Sequence, residues 1–232
     1  SIPIYDAKGF EADDIVGNIA AQGRKQKGGE TIIASGDLDT VQLVDGTHTK
    51  VFTLRKGLTD TVMYDEDAVR ARFGFGPGAI PDLKGIAGDA SDNIKGVPGV
   101  GEGSAIKLLQ VYGSIENIYA AIKKGGVESV AQECGVQKRF VQLVADNRES
   151  AEFSKELATI KCDVPITFEI PKARWHDSVD RNKVLDMLAE LDFRSLMPRV
   201  REMLSSGAGG ELSEKNPGGG VPDSQSESGA KD

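Results

Sequence analysis

Three short stretches of the chain crowd carboxylates together: GFEADD with Glu11, Asp13 and Asp14, SGDLDT with Asp37 and Asp39, and GDASDN with Asp89 and Asp92. Each has an ordinary reading when taken alone. Acids in the opening turn of a helix offset its dipole, and aspartates in a sequence such as GDASDN cap a turn or the helix that follows. Asp37 and Asp39 directly follow the apolar run TIIAS, which puts them at the carboxyl end of a strand, where open α/β sheets keep their ligand crevice. Brought together, these acids repel one another unless cations intervene. A donor set of oxygen alone, with no His or Cys companion, favours hard ions, Mg2+ or Mn2+, over zinc. Two such ions about 4 Å apart activate a water and stabilise a leaving oxygen. The expected chemistry is therefore phosphoryl transfer to water, the hydrolysis of a phosphodiester. Neither His48 nor His176 has the neighbours of a general base, and both read as spacers.

The third acidic stretch runs into GVPGVGEGSAIKLLQVYG, where a turn built on Gly99 and Gly101 precedes an amphipathic helix that turns Ala105, Leu108 and Leu109 inward. Glycines there allow positive backbone angles and expose N–H groups at a helix start, a seat for a phosphate. Such a contact reads backbone rather than base sequence. A glycine turn between helices also serves packing, so its position directly after an aspartate pair carries the functional reading.

The elements that must position these groups are legible in outline. IPIY and TIIAS read as strands flanking a helix over EADDIVGNIAAQGRKQ, and TKVFTL reads as a further strand after a turn at Asp45 and Gly46. Beyond Asp65 the pattern turns helical in DEDAVRARFG, SAIKLLQVYG, SIENIYAAIKK, QKRFVQLVADN and DRNKVLDMLAELDF, with Asp65, Ser114 and Asp180 as caps. The expected architecture is α/β, a small sheet followed by a helical module. From Ser205 the chain is rich in Gly, Ser and Pro and reads as a linker or tail. A sheet of about three strands that opens on a single crossover has little to pack against, so the start reads as though earlier βα units were removed.

Composition narrows the class. The chain has 232 residues, 39% of them hydrophobic, enough for one substantial core or a core with a smaller helical module. No apolar run approaches the roughly 20 residues of a membrane span and no secretory leader pattern is present, so no membrane partner and a cytoplasmic setting are expected. Cys134 and Cys162 lack the spacing of a zinc site or the density of a disulfide scaffold and read as reduced and structural. The formal charge of −8 counts against a polyanion ligand, but five acids against two lysines after Gly207 contribute −3 of it, and bound cations would neutralise more. DLDTVQLVDGTH lacks the acid spacing and terminal Glu of a calcium loop.

GFEADD, SGDLDTVQLV, GIAGDASDNIKGVPGVGEGSA and the closing LDFRSLMPRV, in this order and spacing, resemble the 5'-3' exonuclease domain of bacterial DNA polymerase I, within the flap endonuclease family, over residues 1 to about 204. The resemblance implies an incomplete PIN-like parallel-sheet core over residues 1–82, a helix-hairpin-helix module with C-terminal helices over 83–204, and a disordered linker or tail over 205–232. It implies two-metal hydrolysis of DNA at flaps, nicks and primers in replication and repair, with a polymerase domain following in the same chain and a place at the bacterial nucleoid. Glu11 and Asp13 match ligands of the first metal; Asp37, Asp39 and Asp89 match the second; Asp14 and Asp92 match outer acidic positions. Asp13, Asp37, Asp39 and Asp89 are the implied catalytic set. Lys95, Gly99, Val100, Gly101, Gly103, Ser104 and Lys107 match the hairpin that holds duplex phosphates, often with K+.

The departures bear on activity. The family's opening strand with its aspartate, a second aspartate and a basic helical arch match nothing in this sequence, so low nuclease activity is expected of residues 1–232 alone. Gly103 and Ser104 stand where lysine and threonine are frequent, and Lys95 stands where proline is frequent. Two alternatives stay open: a stand-alone flap nuclease, and a non-catalytic helix-hairpin-helix module that binds duplex DNA while its acids serve structure.

Overall fold

The computed structural model describes residues 3–26, 29–56, 60–172, 174, 177 and 179–205. Of the tail expected over 205–232, Ser205 is instead the last residue of a helix and the rest, like His176, lies outside the described residues. The described residues divide into two compact units, one spanning Ile4–Ile170 and the other holding those from Pro171 to Ser205 with Pro3.

In the larger unit, helix α1 (Ala12–Lys25) leads into strand β1 (Thr31–Ala34), a 3-10 turn (Leu38–Leu43), and strands β2 (Thr49–Lys56) and β3 (Asp60–Tyr64). The sheet order is β1-β2-β3. β1 runs parallel to β2, with Ile33 opposite Val51, and β3 returns antiparallel, with Val51 opposite Tyr64. The sheet is therefore mixed: the parallel pairing expected of the core is present, and DTVMY, which lacks a turn dipeptide before it, extends it as a hairpin strand. The described part of IPIY, Pro3–Tyr5, is not a strand. Pro3–Ala7 make no ladder, Ile4 is 93% exposed, and the Tyr5 ring instead meets Phe168 edge-on at 6.0 Å.

The helical pattern after Asp65 is observed as α2 (Glu66–Phe73), α3 (Ile80–Ala87), α4 (Glu102–Tyr112), α5 (Ile115–Cys134), α6 (Lys138–Asp146) and α7 (Arg148–Ala158). Asp65 and Ser114 cap α2 and α5 through their side chains. α5 kinks at Gly126, whose φ is +79°. α3 and α7 are not marked by the sequence pattern: α3 starts after Ala79 with no capping side chain, and Asn147 at the start of α7 turns its amide back to the Leu143 carbonyl instead of capping. One hydrophobic core runs from Ile33 and Val51 of the sheet through Val69, Ile86 and Leu108 to Val141 and Val144. In the smaller unit, helices α8 (Arg181–Glu190) and α9 (Met197–Ser205) pack together, α8 capped by Asp180. No helix is long and apolar enough to cross a membrane among the described residues. Both cysteines are free thiols, and burial pushes the Cys134 thiol up to about 11.

Two polar devices set the positions that matter below. Asp14, Asn18, Gln22 and Gln26, four residues apart along one stripe of α1, bind the extended segment 161–170: Asp14 accepts the Lys161 N–H, Asn18 donates to the carbonyls of Cys162 and Val164, Gln22 brackets Ile166 and Phe168, and Gln26 brackets Phe168 and Ile170. The second is Asp82 on α3, only 4% exposed, which accepts the Ile115 N–H at 2.8 Å and the Lys155 ammonium at 2.7 Å, tying α3 to the start of α5 and the last turn of α7. Burial pushes the Lys155 ammonium down, but Asp82 and Glu116 outweigh it and its pKa is raised.

Replacing Asp82 by Ala would leave a buried N–H unpaired and Lys155 with Glu116 alone. Loss of about 3 kcal/mol is expected in urea unfolding, and Asp82→Asn, which keeps an acceptor for Ile115, should lose clearly less.

Candidate functional site

The acids come from three elements, and a lysine joins them from a fourth. Glu11 is the N-cap of α1, and Asp13 and Asp14 lie in its first turn. β1 ends at Ala34, and Asp37 caps the 3-10 turn by accepting the Asp39 N–H at 2.9 Å. α3, a segment the sequence reading did not mark as a helix, contributes Lys84. Asp89 and Asp92 sit on the turn after α3, closed by reciprocal backbone bonds between Asp89 and Ile94, each 2.8 Å. Asp89 also accepts the Ser91 N–H at 2.8 Å.

That turn is held from beneath. Ser154 donates no part to the site itself, but its buried hydroxyl accepts the Gly96 N–H at 3.0 Å, and the Ser150 hydroxyl donates to the Gly96 carbonyl at 2.7 Å. Gly96 has φ of +61°, and a Cβ there would lie 2.2 Å from the Gly88 nitrogen. Only a residue without a side chain lets the two ends of the turn meet so closely.

The Lys84 ammonium is bonded to Asp39, lies 2.5 Å from Asp89 and 3.5 Å from Asp92. Oxygens of these three carboxylates lie within 4.8 Å of one another. At such separations each carboxylate pair repels by about 3 kcal/mol at an effective dielectric of about 20, less where solvent screens Asp92. A central cation is the condition for their closeness. Burial raises the Asp39 carboxyl, with Asp37 and Asp92 adding to it and Lys84 opposing, to about 6. Asp89 goes the other way: burial raises it, but Lys84 and the two Ser91 donors prevail and hold it at about 2. For Lys84, burial lowers and the bonds from Asp39 and Asp89 raise, with a raised pKa as the result.

The α1 acids share this neighbourhood. Glu11, Asp13, Asp14, Asp39 and Asp92 line one cleft of about 480 Å³ with Ser91 and Leu157. Burial first, then Asp37, Glu11, Asp14 and Asp92, push the Asp13 carboxyl up. Asp14 is engaged by the Glu11 and Lys161 N–H groups. Asp37 spends one oxygen on its own turn. An all-oxygen donor set already gathered about one ammonium fits a hard divalent cation. His48 is exposed on the turn between Asp45 and Thr49, away from the acids.

The glycine turn is found as expected in part. Gly99 has φ of +84°, but Gly101 has φ of −86° and is the N-cap of α4, so its role needs no positive angle. Val100 is buried and anchors the turn, while Gly101 and Gly103 face open space. Lys95 and Lys107 are exposed, Lys107 reaching 3.4 Å from the Gly135 carbonyl, and Ser104 is half-buried with its N–H bonded to the Gly101 carbonyl. Glu102 stands in the first turn of α4. Its charge competes with any anion there.

Comparison with known proteins bears on both halves. The family model described as the N-terminal resolvase-like domain of 5'-3' exonuclease matches residues 1–74, and the one described as its C-terminal SAM fold matches residues 75–181. DNA polymerase I of Bacillus caldotenax is 39% identical over 199 residues, which are 86% of this chain and 21% of that protein. DNA polymerase I of Bacillus subtilis is 37% identical over 198 residues, 85% of this chain and 21% of that one. The chain thus spans about a fifth of the length of these relatives. In fold it is similar to T5 5'-exonuclease, solved with zinc bound, at 18% identity and a TM-score of 0.56 over 88% of this chain and 64% of that one.

Because Asp39 has a raised and Asp89 a lowered pKa, their stability contributions oppose. Asp39 favours the fold below about pH 4 and loses this as pH rises through about 6, whereas Asp89 favours it above about 4 and loses this as pH falls through about 2. Carbon NMR titration of the carboxyls in EDTA should show these two midpoints, and Lys84→Met should move both upward.

Proposed function

Since the chain belongs to the 5'-3' exonuclease family, we propose that it is the 5'-3' exonuclease domain of a DNA polymerase I, hydrolysing DNA phosphodiesters near a 5' end at flaps, nicks and primers. Residues 1–82 would carry most of the carboxylates, 83–204 the grip on the duplex, and a polymerase domain would follow in the same chain, in the cytoplasm at the nucleoid. The observation that supports this best is the trio Asp39, Asp89 and Asp92 with oxygens within 4.8 Å, of which Asp39 and Asp92 also line the cleft that holds Glu11 and Asp13.

Glu11 and Asp13 would hold one divalent ion, Mg2+ or Mn2+, and Asp37, Asp39 and Asp89 a second, with Asp92 and Asp14 behind them. Bound ions of this kind lower the pKa of water and offset charge on the leaving oxygen. The chain's own groups do the positioning. Asp13, Asp37, Asp39 and Asp89 present ionised oxygens to the reacting phosphate region, and Asp39 does so once deprotonated, above about pH 6. Lys84 brings its ammonium among the same oxygens and can donate to a non-bridging phosphate oxygen. Asp14, bound to the Lys161 N–H, keeps the first turn of α1 aimed at the cleft.

The turn through Gly99, Val100 and Gly101 would lay the backbone N–H of Gly103 and the side-chain hydroxyl of Ser104 against duplex phosphates, with Lys95 and Lys107 adding charge and K+ as a further counter-ion. This contact reads backbone, so substrate choice falls to the structure of the DNA rather than its sequence.

Calorimetry with Mn2+ and a gel shift with 5'-flap duplex test the two roles separately. Asp37→Asn with Asp39→Asn should weaken Mn2+ binding at least 10-fold, as expected for loss of two anionic ligands, while duplex affinity in Ca2+ stays within about twofold. Unchanged Mn2+ binding would favour the non-catalytic DNA-binding alternative.

A further inference from the structure

Glycines aside, Asn93 is the one described residue of the larger unit whose backbone takes a positive φ, +57°. It stands between Asp92 and Ile94, inside the turn that the reciprocal backbone bonds of Asp89 and Ile94 close. Glycine enters that conformation freely. Asparagine is tolerated there because its short amide can hydrogen-bond locally, and here that compensation is missing. The Asn93 side chain is exposed and makes no hydrogen bond among the described residues. The turn alone would be served as well by glycine.

The surroundings of the amide supply the reason for it. Asn93 lines the acidic cleft of about 480 Å³ together with Glu11, Asp13, Asp14, Asp39 and Asp92. Two other neutral side chains there carry a hydroxyl, and both are committed: Ser91 donates to Asp89, and Thr159 donates to the Lys155 carbonyl at 2.6 Å. Among the described side chains of the cleft, the Asn93 amide is therefore the donor left free. The non-bridging oxygens of a phosphodiester only accept. Cations held by the carboxylates would meet one side of it, and its other side needs a donor. An amide suits that place, because it offers two N–H groups without charge and so, unlike the Lys84 ammonium, does not occupy the carboxylates that a cation must reach.

We propose that the Asn93 carboxamide donates to a non-bridging oxygen of the scissile phosphate and fixes its orientation against the acids. The proposal rests on the nuclease reading above and deepens it, adding a substrate contact that the turn itself does not require.

Binding of a 5'-flap duplex in Ca2+, compared with the same duplex carrying a neutral methylphosphonate at the scissile link, tests it without turnover. The whole chain should prefer the phosphate duplex, and in nitrogen-correlated NMR the Asn93 side-chain amide should move with that duplex and stay in place with the other. Asn93→Gly keeps the positive φ and removes the amide. Its urea midpoint should not fall, while its preference for phosphate over methylphosphonate should drop about tenfold, the loss expected of one hydrogen bond to a charged acceptor. Asn93→Asp, of equal size, should lower the preference further, since its carboxylate repels the charged link and not the neutral one. An unchanged preference in both variants, with or without a change in urea midpoint, or equal amide shifts from the two duplexes, overturns the proposal and leaves Asn93 a turn residue. Equal affinity of the unsubstituted chain for both duplexes means that no phosphate reaches the acids, and overturns the nuclease reading instead.

Discussion

The closeness of Asp39, Asp89 and Asp92 is possible because a positive charge sits among them. Three carboxylates with oxygens within 4.8 Å cannot all be ionised against mutual repulsion of several kcal/mol without one. Lys84 supplies it from α3, and the opposite shifts of Asp39 and Asp89 record how unevenly it is shared: the more buried partner stays hard to ionise while the one with hydroxyl and backbone donors does not. The same arrangement that accommodates an ammonium suits a small divalent cation, so the demand of the cluster and its chemistry have one origin.

Much of the surrounding fold exists to keep that cluster in place. α3 must present Lys84 toward the end of β1, and Asp82, two residues earlier on the opposite side, fixes α3 to α5 and α7. α7 then holds the Asp89 turn through Ser150 and Ser154. On the other flank, the amide stripe of α1 binds segment 161–170, and its first member, Asp14, belongs to the acidic cleft. Asp14 thus belongs to both, accepting the Lys161 N–H while it lines the cleft.

The α/β order, the helix over 12–25, strands over TIIA and TKVFTLRK, and the caps Asp65, Ser114 and Asp180 were legible because hydrophobic period and capping chemistry are local. Failures have equally local causes. IPIY has strand-forming residues but no neighbour to pair with, and a strand is defined by its partner. α3 has no capping side chain, Asn147 at the start of α7 makes no capping bond, and DTVMY has no turn dipeptide before it.

The acidic stretches, their oxygen-only character and the glycine turn were determined by the sequence alone, since residue type decides what an atom can ligate. That Lys84 completes the cluster, that Asp14 serves a backbone N–H, and that Gly96 rather than Gly101 needs its missing side chain were decided by tertiary structure. Each depends on a distance between residues far apart in the chain, and spacing along a sequence carries no such distance until the core has packed.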